Sequence, residues 1–246
     1  MKDALLAALD RNEFILYFQP HISLTNGKID GAEALIRWQH PEQGLLGPGA
    51  FIPFAEQSGL ITAIGAWVMQ EAVRVSRPWR TANLDFHIWF NLSGPEVKDP
   101  TFVQRLHELD DDLWGVGVEV SETVAMENVD ATLAFMNELH HSGLFIALDD
   151  FGTGYTSLQH LKRLPIDVLK IDRAFVSGLP SDKQDAAIVD AILSIARAFA
   201  FTTLAEGIET EAQAAALREH GCALAQGYLY AKPMPAGDFT KLLAGP

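Results

Sequence analysis

Cysteine is almost absent from this chain, which has Cys222 as its only cysteine among 246 residues. An internal disulfide is therefore excluded, and we expect a reducing, cytoplasmic compartment. Long apolar runs are absent as well, since no stretch approaches the ~20 residues of a membrane-spanning helix. The apolar run at the N-terminus is too short for a signal peptide. We therefore expect no direct membrane insertion by this segment, which leaves open a larger, membrane-bound parent protein.

Positive charge is scarce, with 18 Lys and Arg residues against 32 Asp and Glu residues and a formal net charge of −14. A surface of this sign repels polyanions, so we predict that no nucleic-acid polymer is a partner. If the substrate is itself an anion, cations have to mediate its contact with the protein. Linkers and low-complexity segments are also missing, and the length suits one large domain or two small ones.

Short apolar segments rich in Val, Ile, Leu and Phe alternate with segments of helical periodicity along most of the chain. The predicted strands are residues 14–19, 31–37, 86–91, 117–121, 144–149, 168–171, 203–205 and 223–227. Eight strands that alternate with helices predict an α/β fold of the (β/α)8, TIM-like barrel type. A doubly wound sheet is the alternative.

The first two predicted strands are separated only by residues 20–30, which hold the turn signal Asn26-Gly27. This signal predicts a hairpin, so the first strand should run antiparallel to the second. Two helix starts are also predicted. Asp99-Pro100 is typical of an N-cap followed by the first helical residue, and Thr210 with Gln213 fits a capping box.

The most informative stretch is residues 144–154, an apolar strand that runs into paired carboxylates and a glycine-rich turn. Asp149 and Asp150 repel each other at a strand end, a penalty that a divalent cation would remove. Gly152 and Gly154 let the backbone turn tightly and approach a ligand closely. The pattern predicts a metal site on an α/β scaffold.

Polar side chains stand near the C-terminal ends of most predicted strands. They are Glu33, Asn91, Glu119, Asp149, Asp150, Lys170, Glu206 and Gln226. Each alone is more simply a helix N-cap or a surface charge, but in a barrel such positions converge on the face that carries activity. Carboxylate and amide oxygens suit Mg²⁺ or Mn²⁺ better than zinc, and carboxylates in this number can hold two cations.

Three basic residues lie in or near this set. Lys170 lies in a strand that otherwise looks buried, which neighbouring carboxylates explain most simply. Arg37 beside Glu33 suggests a phosphate contact, with a surface ion pair as the alternative. His21 lies near the proposed mouth and is predicted to be a solvated rim residue, because the eight histidines show no metal-binding spacing.

An ordered set of motifs resembles the EAL-domain cyclic di-GMP phosphodiesterase family over nearly the whole chain. The name-giving motif is Glu33-Ala34-Leu35, within residues 31–38. The other matching segments are residues 18–20, 51–56, 90–93, 119–122, 149–155, 169–172, 205–209, 226–228 and 232–235. The resemblance implies that residues 1–246 form a single domain, expected to be part of a longer regulatory protein, with a barrel whose first strand is antiparallel.

The resemblance also implies hydrolysis of cyclic di-GMP to linear pGpG, with two Mg²⁺ or Mn²⁺ ions per active site. Such activity serves bacterial second-messenger signalling in biofilm and motility regulation. The metal ligands that it implies are Glu33, Asn91, Glu119, Asp149, Asp150 and Glu206. Asp149 would bridge the cations, and Lys170 would hold the attacking water. Together with Lys170, the residues implied to be catalytic are Glu33, Glu206 and Asp150.

Substrate contacts follow from the same resemblance. Gln19, Leu35, Arg37 and Gln226 would face the dinucleotide, and Asp172 and Pro233 are weaker candidates for base or ribose contacts. His21 stands where the family usually has Ile or Val, and Thr156 where Ser is common.

A loop from Asp150 to Ser157 would couple the metal site to the interface of a homodimer. Its regulatory residues would be Phe151, Gly152, Thr153 and Gly154, with Glu209 holding its conformation. The apolar residues Leu158, Leu161 and Leu164 could serve the dimer or could equally be core.

Every implied ligand is present, so an active enzyme is favoured over a catalytically silent cyclic di-GMP receptor or scaffold that uses the same pocket. Asp150-Phe151-Gly152 is also the metal-binding tripeptide of protein kinases. The sequence has no His-Arg-Asp or Ala-Pro-Glu segment and no kinase Gly-rich loop, so this interpretation is disfavoured. A purely structural interaction module would leave the acidic cluster without a purpose.

Overall fold

The structure is a computed structural model that describes residues 1–83, 85–109, 113–154 and 157–245. Tyr155 and Thr156, which belong to the predicted regulatory loop, lie outside the described residues. The strands are β1 Phe14–Ser23, β2 Ile29–His40, β3 Gly44–Leu46, β4 His87–Leu92, β5 Val116–Ser121, β6 Phe145–Phe151, β7 Val168–Ile171, β8 Thr202–Ala205, β9 Leu224–Ala225 and β10 Met234–Pro235.

Helices alternate with these strands. They are α1 Lys2–Asp10, α2 Ile52–Gln57, α3 Ile61–Ala82, α4 Gly94–Val97, α5 Phe102–His107, α6 Glu122–Glu127, α7 Val129–His141, α8 Leu158–Leu161, α9 Arg173–Val176, α10 Lys183–Phe199, α11 Glu211–His220 and α12 Ala236–Ala244, with a 3₁₀ turn at Pro48–Ala50. Among the described residues, no helix combines the length and the apolar character that crossing a membrane requires.

Eight of the strands close into a barrel, in the order β1-β9-β8-β7-β6-β5-β4-β2, with β2 pairing back to β1. Neighbours from β2 through β9 are parallel, whereas β1 is antiparallel to both β2 and β9. The predicted barrel with an antiparallel first strand is confirmed, and the doubly wound alternative is wrong. Two short strands, β3 and β10, extend the sheet beyond the barrel and were not predicted.

The hairpin between β1 and β2 explains the reversed direction of the first strand. Gly27 has a φ of 72° in the connecting turn, and its N–H donates to the Ser23 carbonyl at 2.8 Å. The Asn26 side chain accepts a hydrogen bond from the Lys28 N–H at 2.9 Å. Because a parallel pair needs a crossover of a dozen or more residues, this short connection permits only an antiparallel pair.

The interior of the barrel is filled by an apolar layer, which we call the interior plug. It consists of Trp89, Ala147, Val168, Leu204 and Leu224. Gly117 makes room for the largest of these side chains, since a Cβ at that position would lie 2.4 Å from Cε3 of the Trp89 ring. The barrel is therefore a packed core below its C-terminal rim, as in other closed eight-stranded barrels.

Of the two predicted helix starts, one is confirmed and one is wrong. The capping box of Thr210 and Gln213 at α11 is confirmed. The cap predicted at Asp99 is wrong, because α5 begins at Phe102, after Thr101. The Asp99 carboxylate instead accepts hydrogen bonds from the Thr101 N–H at 2.9 Å and from Arg105 at 2.8 Å, so it orders the turn before the helix.

Aromatic packing fixes the last helix against the barrel. Phe239 of α12 is fully buried, and its ring centroid lies 4.8 Å from that of Trp79 and 6.0 Å from that of Phe18. The Trp79 indole N–H also donates to the Thr240 hydroxyl at 2.9 Å. These contacts join α12 to α3 and to the hairpin.

We expect Phe239→Ala to lower the free energy of unfolding by about 3–5 kcal/mol, because it removes a large buried ring and leaves a cavity. Urea denaturation followed by circular dichroism measures the change. Leu242→Ala, on the exposed side of the same helix, is the matched control and should cost much less. Equal losses in the two variants would show that Phe239 does not anchor the helix.

Candidate active site at the barrel rim

The barrel brings the polar strand-end residues to one rim. Asn91 and Glu119 are register partners across β4 and β5, as Gln19 and Glu33 are across β1 and β2. The remaining members of the set sit at or just after the ends of β6 to β9, at Asp149, Asp150, Lys170, Glu206 and Gln226. Since parallel strands of a barrel end at the same face, their side chains point into one shared space.

Lys170 occupies the centre of this space. Its ammonium group is 2.5 Å from Glu119 Oε2, 2.6 Å from Glu206 Oε1 and 3.3 Å from Asp149 Oδ1. The side chain is only 1% exposed. The explanation predicted from the sequence, that neighbouring carboxylates justify a buried lysine, is confirmed by these contacts.

Several carboxylates compete for this one ammonium group. Burial by itself lowers the pKa of Lys170, but Glu119 and Glu206 outweigh it and raise that pKa well above its ordinary value. The lysine therefore keeps its charge. Burial, opposed by Lys170, raises the pKa of Glu119 well above its ordinary value. Burial, reinforced by the neighbouring acids and opposed by Lys170, raises the pKa of Glu206 from 4.5 to about 7.

Amide side chains hold Glu33 in place beside this cluster. Asn91 donates to Glu33 Oε1 at 2.7 Å, and Gln226 donates to Glu33 Oε2 at 2.7 Å. The Gln226 amide also donates to Gln19 Oε1 at 3.1 Å, and Gln19 in turn donates to the Ala231 carbonyl at 3.0 Å. Both oxygens of Glu33 are thus oriented before any ligand binds.

A backbone irregularity places the paired acids. The pairing of β6 with β7 shifts register between Leu148 and Phe151, and Asp150 has a φ of 56°. This left-handed conformation is uncommon outside glycine, although Asp tolerates it better than most residues. The Asp150 N–H donates to Asp149 Oδ1 at 2.9 Å, which stabilises the bend. Burial, then repulsion from Asp149 and Asp172, raises the pKa of Asp150.

The glycine-rich loop is held by Glu122. The N–H groups of Gly152 and Gly154 donate to Glu122 Oε2 at 2.9 Å and 3.3 Å. The Thr153 hydroxyl donates to the Asp150 carbonyl at 2.8 Å. A Cβ on Gly154 would lie 2.8 Å from Glu122 Oε1, so the close approach needs glycine here.

Glu209, the residue that the sequence suggested would hold the loop, makes a different contact. Its carboxylate pairs with Arg173 at 2.9 Å, and both side chains are largely exposed. Among the described residues, the N–H groups of Gly152 and Gly154 are bound by Glu122 instead. Glu122 ends the motif at residues 119–122, and its position three residues after Glu119 is the signal that the sequence offers for it.

The predicted substrate residues line a cleft of about 270 Å³ above the cluster. The lining includes Gln19, Glu33, Leu35, Arg37, Gln226 and Pro233. Arg37 lies over the Tyr17 ring at 5.5 Å and donates to the Ile36 carbonyl at 2.8 Å. Asp172 is outside this lining, where its side chain caps α9 by accepting from the Ala174 N–H at 2.9 Å.

A second cavity, of about 350 Å³, shares Leu35 and Asn91 with the site. Its walls are mostly apolar, and it contains the buried carboxyl of Glu96. Burial, opposed by hydrogen bonds from Ser93, raises the pKa of Glu96 to about 7. Leu35 therefore stands between two spaces that a ligand larger than either could share.

The donor set fits divalent cations. One oxygen each from Asp149, Asp150 and Glu206 lie within 4.8 Å of one another, and a second such group joins Glu33 and Glu119 to His21. Among the described residues, Glu119 Oε1 is buried without a hydrogen-bond partner. Carboxylates in excess over one lysine, with a buried unpartnered oxygen, form the environment that hard cations prefer.

Comparison with known proteins identifies close relatives. A family model described as EAL domain matches residues 2–233. The bifunctional diguanylate cyclase/cyclic di-GMP phosphodiesterase MucR of Pseudomonas aeruginosa is 44% identical over 244 residues, which are 96% of this chain and 35% of MucR. The cyclic di-GMP phosphodiesterase PdeR of Escherichia coli is 37% identical over 238 residues, 95% of this chain and 36% of PdeR.

A solved structure of a related protein has the same fold. The PaMucR phosphodiesterase in complex with c-di-GMP superposes with a TM-score of 0.92 at 42% identity, covering 97% of this chain and 98% of that one. The chain spans about a third of the length of the two curated relatives, 35% and 36%.

The raised pKa of Glu206 generates a pH prediction for the cation-free protein. A carboxyl whose pKa rises from 4.5 to about 7 on folding contributes stability below its ordinary value, and that stability is lost as the pH rises through about 7. Glu206→Gln cannot ionise. In EDTA, its melting temperature relative to the wild type should therefore rise by about 5–10 °C between about pH 5 and about pH 8, which is roughly 2–3 kcal/mol for this size.

The matched control is Glu138→Gln, at an exposed position on α7. Its melting temperature relative to the wild type should not change over the same range. A difference between Glu206→Gln and the wild type that stays constant with pH would contradict the prediction.

Proposed function

The chain belongs to the EAL domain family, and from this premise we propose that it hydrolyses cyclic di-GMP to linear pGpG with two Mg²⁺ or Mn²⁺ ions. The observation that supports this most directly is the buried Lys170, held within 3.3 Å of three carboxylates below a cleft. A lysine among acids of this number leaves a net negative site, which cations have to balance before an anionic phosphodiester can enter.

The cation ligands that we propose are Glu33, Asn91, Glu119, Asp149, Asp150 and Glu206. When bound, divalent cations supply positive charge to the phosphate and lower the pKa of a water that acts as the nucleophile. The protein orients these ligands in advance. Glu33 is held by Asn91 and Gln226, and Asp149 by the Asp150 N–H.

Lys170 is proposed to hold the attacking water and to favour its deprotonated form. An ammonium group donates hydrogen bonds but accepts none, so it can bind only the oxygen of a water or hydroxide. The raised pKa keeps this donor charged at neutral pH. Glu33, Glu206 and Asp150 are the other residues proposed to be catalytic, by placing the cations and the water.

The substrate is proposed to lie in the cleft lined by Gln19, Leu35, Arg37, Gln226 and Pro233. Arg37 offers a guanidinium group to a phosphate on a surface whose formal net charge is −14. Asp172 lies next to Asp150 and stays a candidate for a base or ribose contact.

The homodimer that the resemblance implies stays a prediction. The cytoplasmic location and the longer regulatory protein to which the chain is expected to belong also stay predictions. Of the three leucines suggested for an interface, Leu161 and Leu164 are buried in the core, and Leu158 is 55% exposed. The loop from Asp150 to Ser157 is proposed to link the metal site to that interface through Phe151–Gly154 and Glu122.

The assay that tests the proposal measures conversion of cyclic di-GMP to pGpG against the concentration of Mg²⁺ or Mn²⁺. We expect no turnover in EDTA and recovery on adding either cation, because the acids are otherwise uncompensated. Full turnover in EDTA would refute the mechanism. Binding of cyclic di-GMP without any pGpG under Mn²⁺ would identify a receptor instead. Specific activity that rises with protein concentration would support the dimer.

We expect Lys170→Ala to lower kcat by at least about 100-fold, as the loss of a preorganised charged donor does in other enzymes. Glu33→Ala should have a similar effect, through the loss of a cation ligand. Lys98→Ala removes an exposed lysine on the same chain and is the control. Unchanged kcat in Lys170→Ala would remove that residue from its proposed role.

A further inference from the structure

His21 is a buried histidine below the acidic cluster. The sequence suggested a solvated rim residue, but the side chain is 1% exposed, so that prediction is wrong. The reason is the direction of β1. Gln19 pairs with Glu33 near the rim, and His21, two residues further along the antiparallel strand, pairs with Gly31 deeper in the barrel.

Unpartnered polar atoms gather around this side chain. Among the described residues, neither ring nitrogen of His21 has a hydrogen-bond partner, and neither does Glu119 Oε1 or Gln226 Oε1. Buried polar atoms in a folded protein nearly always have a partner, so this concentration calls for one. A neutral imidazole has one nitrogen with a lone pair, so a cation would satisfy that nitrogen and Glu119 Oε1 together. The other ring nitrogen carries a proton that the Gln226 side chain can accept.

Side-chain atoms of His21, Glu33 and Glu119 lie close enough to bind one cation. A nitrogen of His21 and one carboxylate oxygen each from Glu33 and Glu119 lie within 4.8 Å of one another. Atoms that bind a transition metal lie about 2.0–2.2 Å from it, so two of them are at most about 4.4 Å apart. A small adjustment of the side chains brings the three atoms within that limit.

The imidazole is available as a ligand. The side chain is 1% exposed, and neither ring nitrogen is engaged in a hydrogen bond among the described residues. One of these nitrogens lies within 4.8 Å of a carboxylate oxygen from Glu33 and from Glu119, so it is free to bind a cation between them. Neutral imidazole is the form that binds metals.

We propose that His21 supplies a nitrogen ligand to the cation held by Glu33 and Glu119, and so biases this site toward Mn²⁺ and related transition metals over Mg²⁺. The inference rests on the proposed function only in that cations bind at this rim. Imidazole suits transition metals, whereas Mg²⁺ takes oxygen ligands, so one nitrogen shifts the balance between them. An all-oxygen set from the remaining residues would lack this contribution of the nitrogen.

The first test is pulsed EPR of Mn²⁺ bound to metal-depleted protein labelled with ¹⁵N at histidine. Mn²⁺ is added at a low molar ratio, with and without excess Mg²⁺, so that each cation position is sampled. We expect the hyperfine coupling of a directly bound imidazole nitrogen in wild-type protein and its loss in His21→Val. Absence of nitrogen coupling in every wild-type sample would overturn the inference.

The second test is calorimetric titration of Mn²⁺ and Mg²⁺ into the same metal-depleted proteins. His21→Val and His21→Gln should weaken Mn²⁺ binding by about tenfold, the lower end of what a metal-site contact is worth. Mg²⁺ binding should change by less than about twofold. Equal losses for both cations, or none, would also overturn the inference.

His140→Gln is the matched control for the loss of a histidine. His140 lies in the last turn of α7, with its ring 3.7 Å from Asp167, which is not a proposed ligand. It should leave the nitrogen coupling and both affinities unchanged. Melting curves in EDTA show whether each variant is folded, and His21→Gln, which keeps a polar side chain, replaces His21→Val if the latter unfolds.

The outcomes separate this inference from the proposed function. Turnover of cyclic di-GMP with Mn²⁺ but without nitrogen coupling would refute the role of His21 and leave the function standing. Mn²⁺ bound through His21 without turnover would do the reverse. If neither cation binds measurably, both fail.

Discussion

The ion pairs of Lys170 impose the condition that the rest of the site has to meet. A buried ammonium group is stable only where carboxylates surround it, and here Glu119, Glu206 and Asp149 do so within 3.3 Å. These acids come from β5, from β6 and from the residue after β8, which are neighbours of β7 in the sheet or one strand beyond it, so the arrangement depends on the pairing of β5 to β8. The same acids exceed the charge of one lysine, so the site would favour further cations. Strand pairing and buried charge are therefore parts of one electrostatic balance.

The backbone bend at Asp150 connects the acidic cluster to the glycine-rich loop. Asp150 adopts a left-handed conformation next to a register shift, and the two glycines that follow bring N–H groups onto Glu122. Non-glycine residues keep such a conformation only where their surroundings enforce it. The paired acids and the segment that Glu122 anchors are thus joined by one bend of the backbone. The link between site and loop is a chain of hydrogen bonds only a few residues long.

Much of this could be predicted from the sequence, because strand periodicity and strand-end polarity are local signals. The eight barrel strands, the hairpin and the acids around Lys170 all followed from them. His21 and Glu122 did not, since their environment depends on which strand runs antiparallel and on where a loop folds back. The helix start predicted at Asp99 was wrong for a different reason: the Asp99 carboxylate accepts from the Thr101 N–H and from Arg105, which orders a turn before the helix begins at Phe102. Long-range register, rather than propensity, decides these cases.

The interior plug limits where a ligand can enter and leave the site. Trp89 and its apolar neighbours fill the barrel below the acids, so the described residues leave the rim as the way in for a ligand. A substrate converted there would have to leave through the opening by which it entered. Product that dissociates slowly from the rim would then exclude the next substrate, and product release would limit the rate of turnover. A site with a single opening is thus subject to product inhibition.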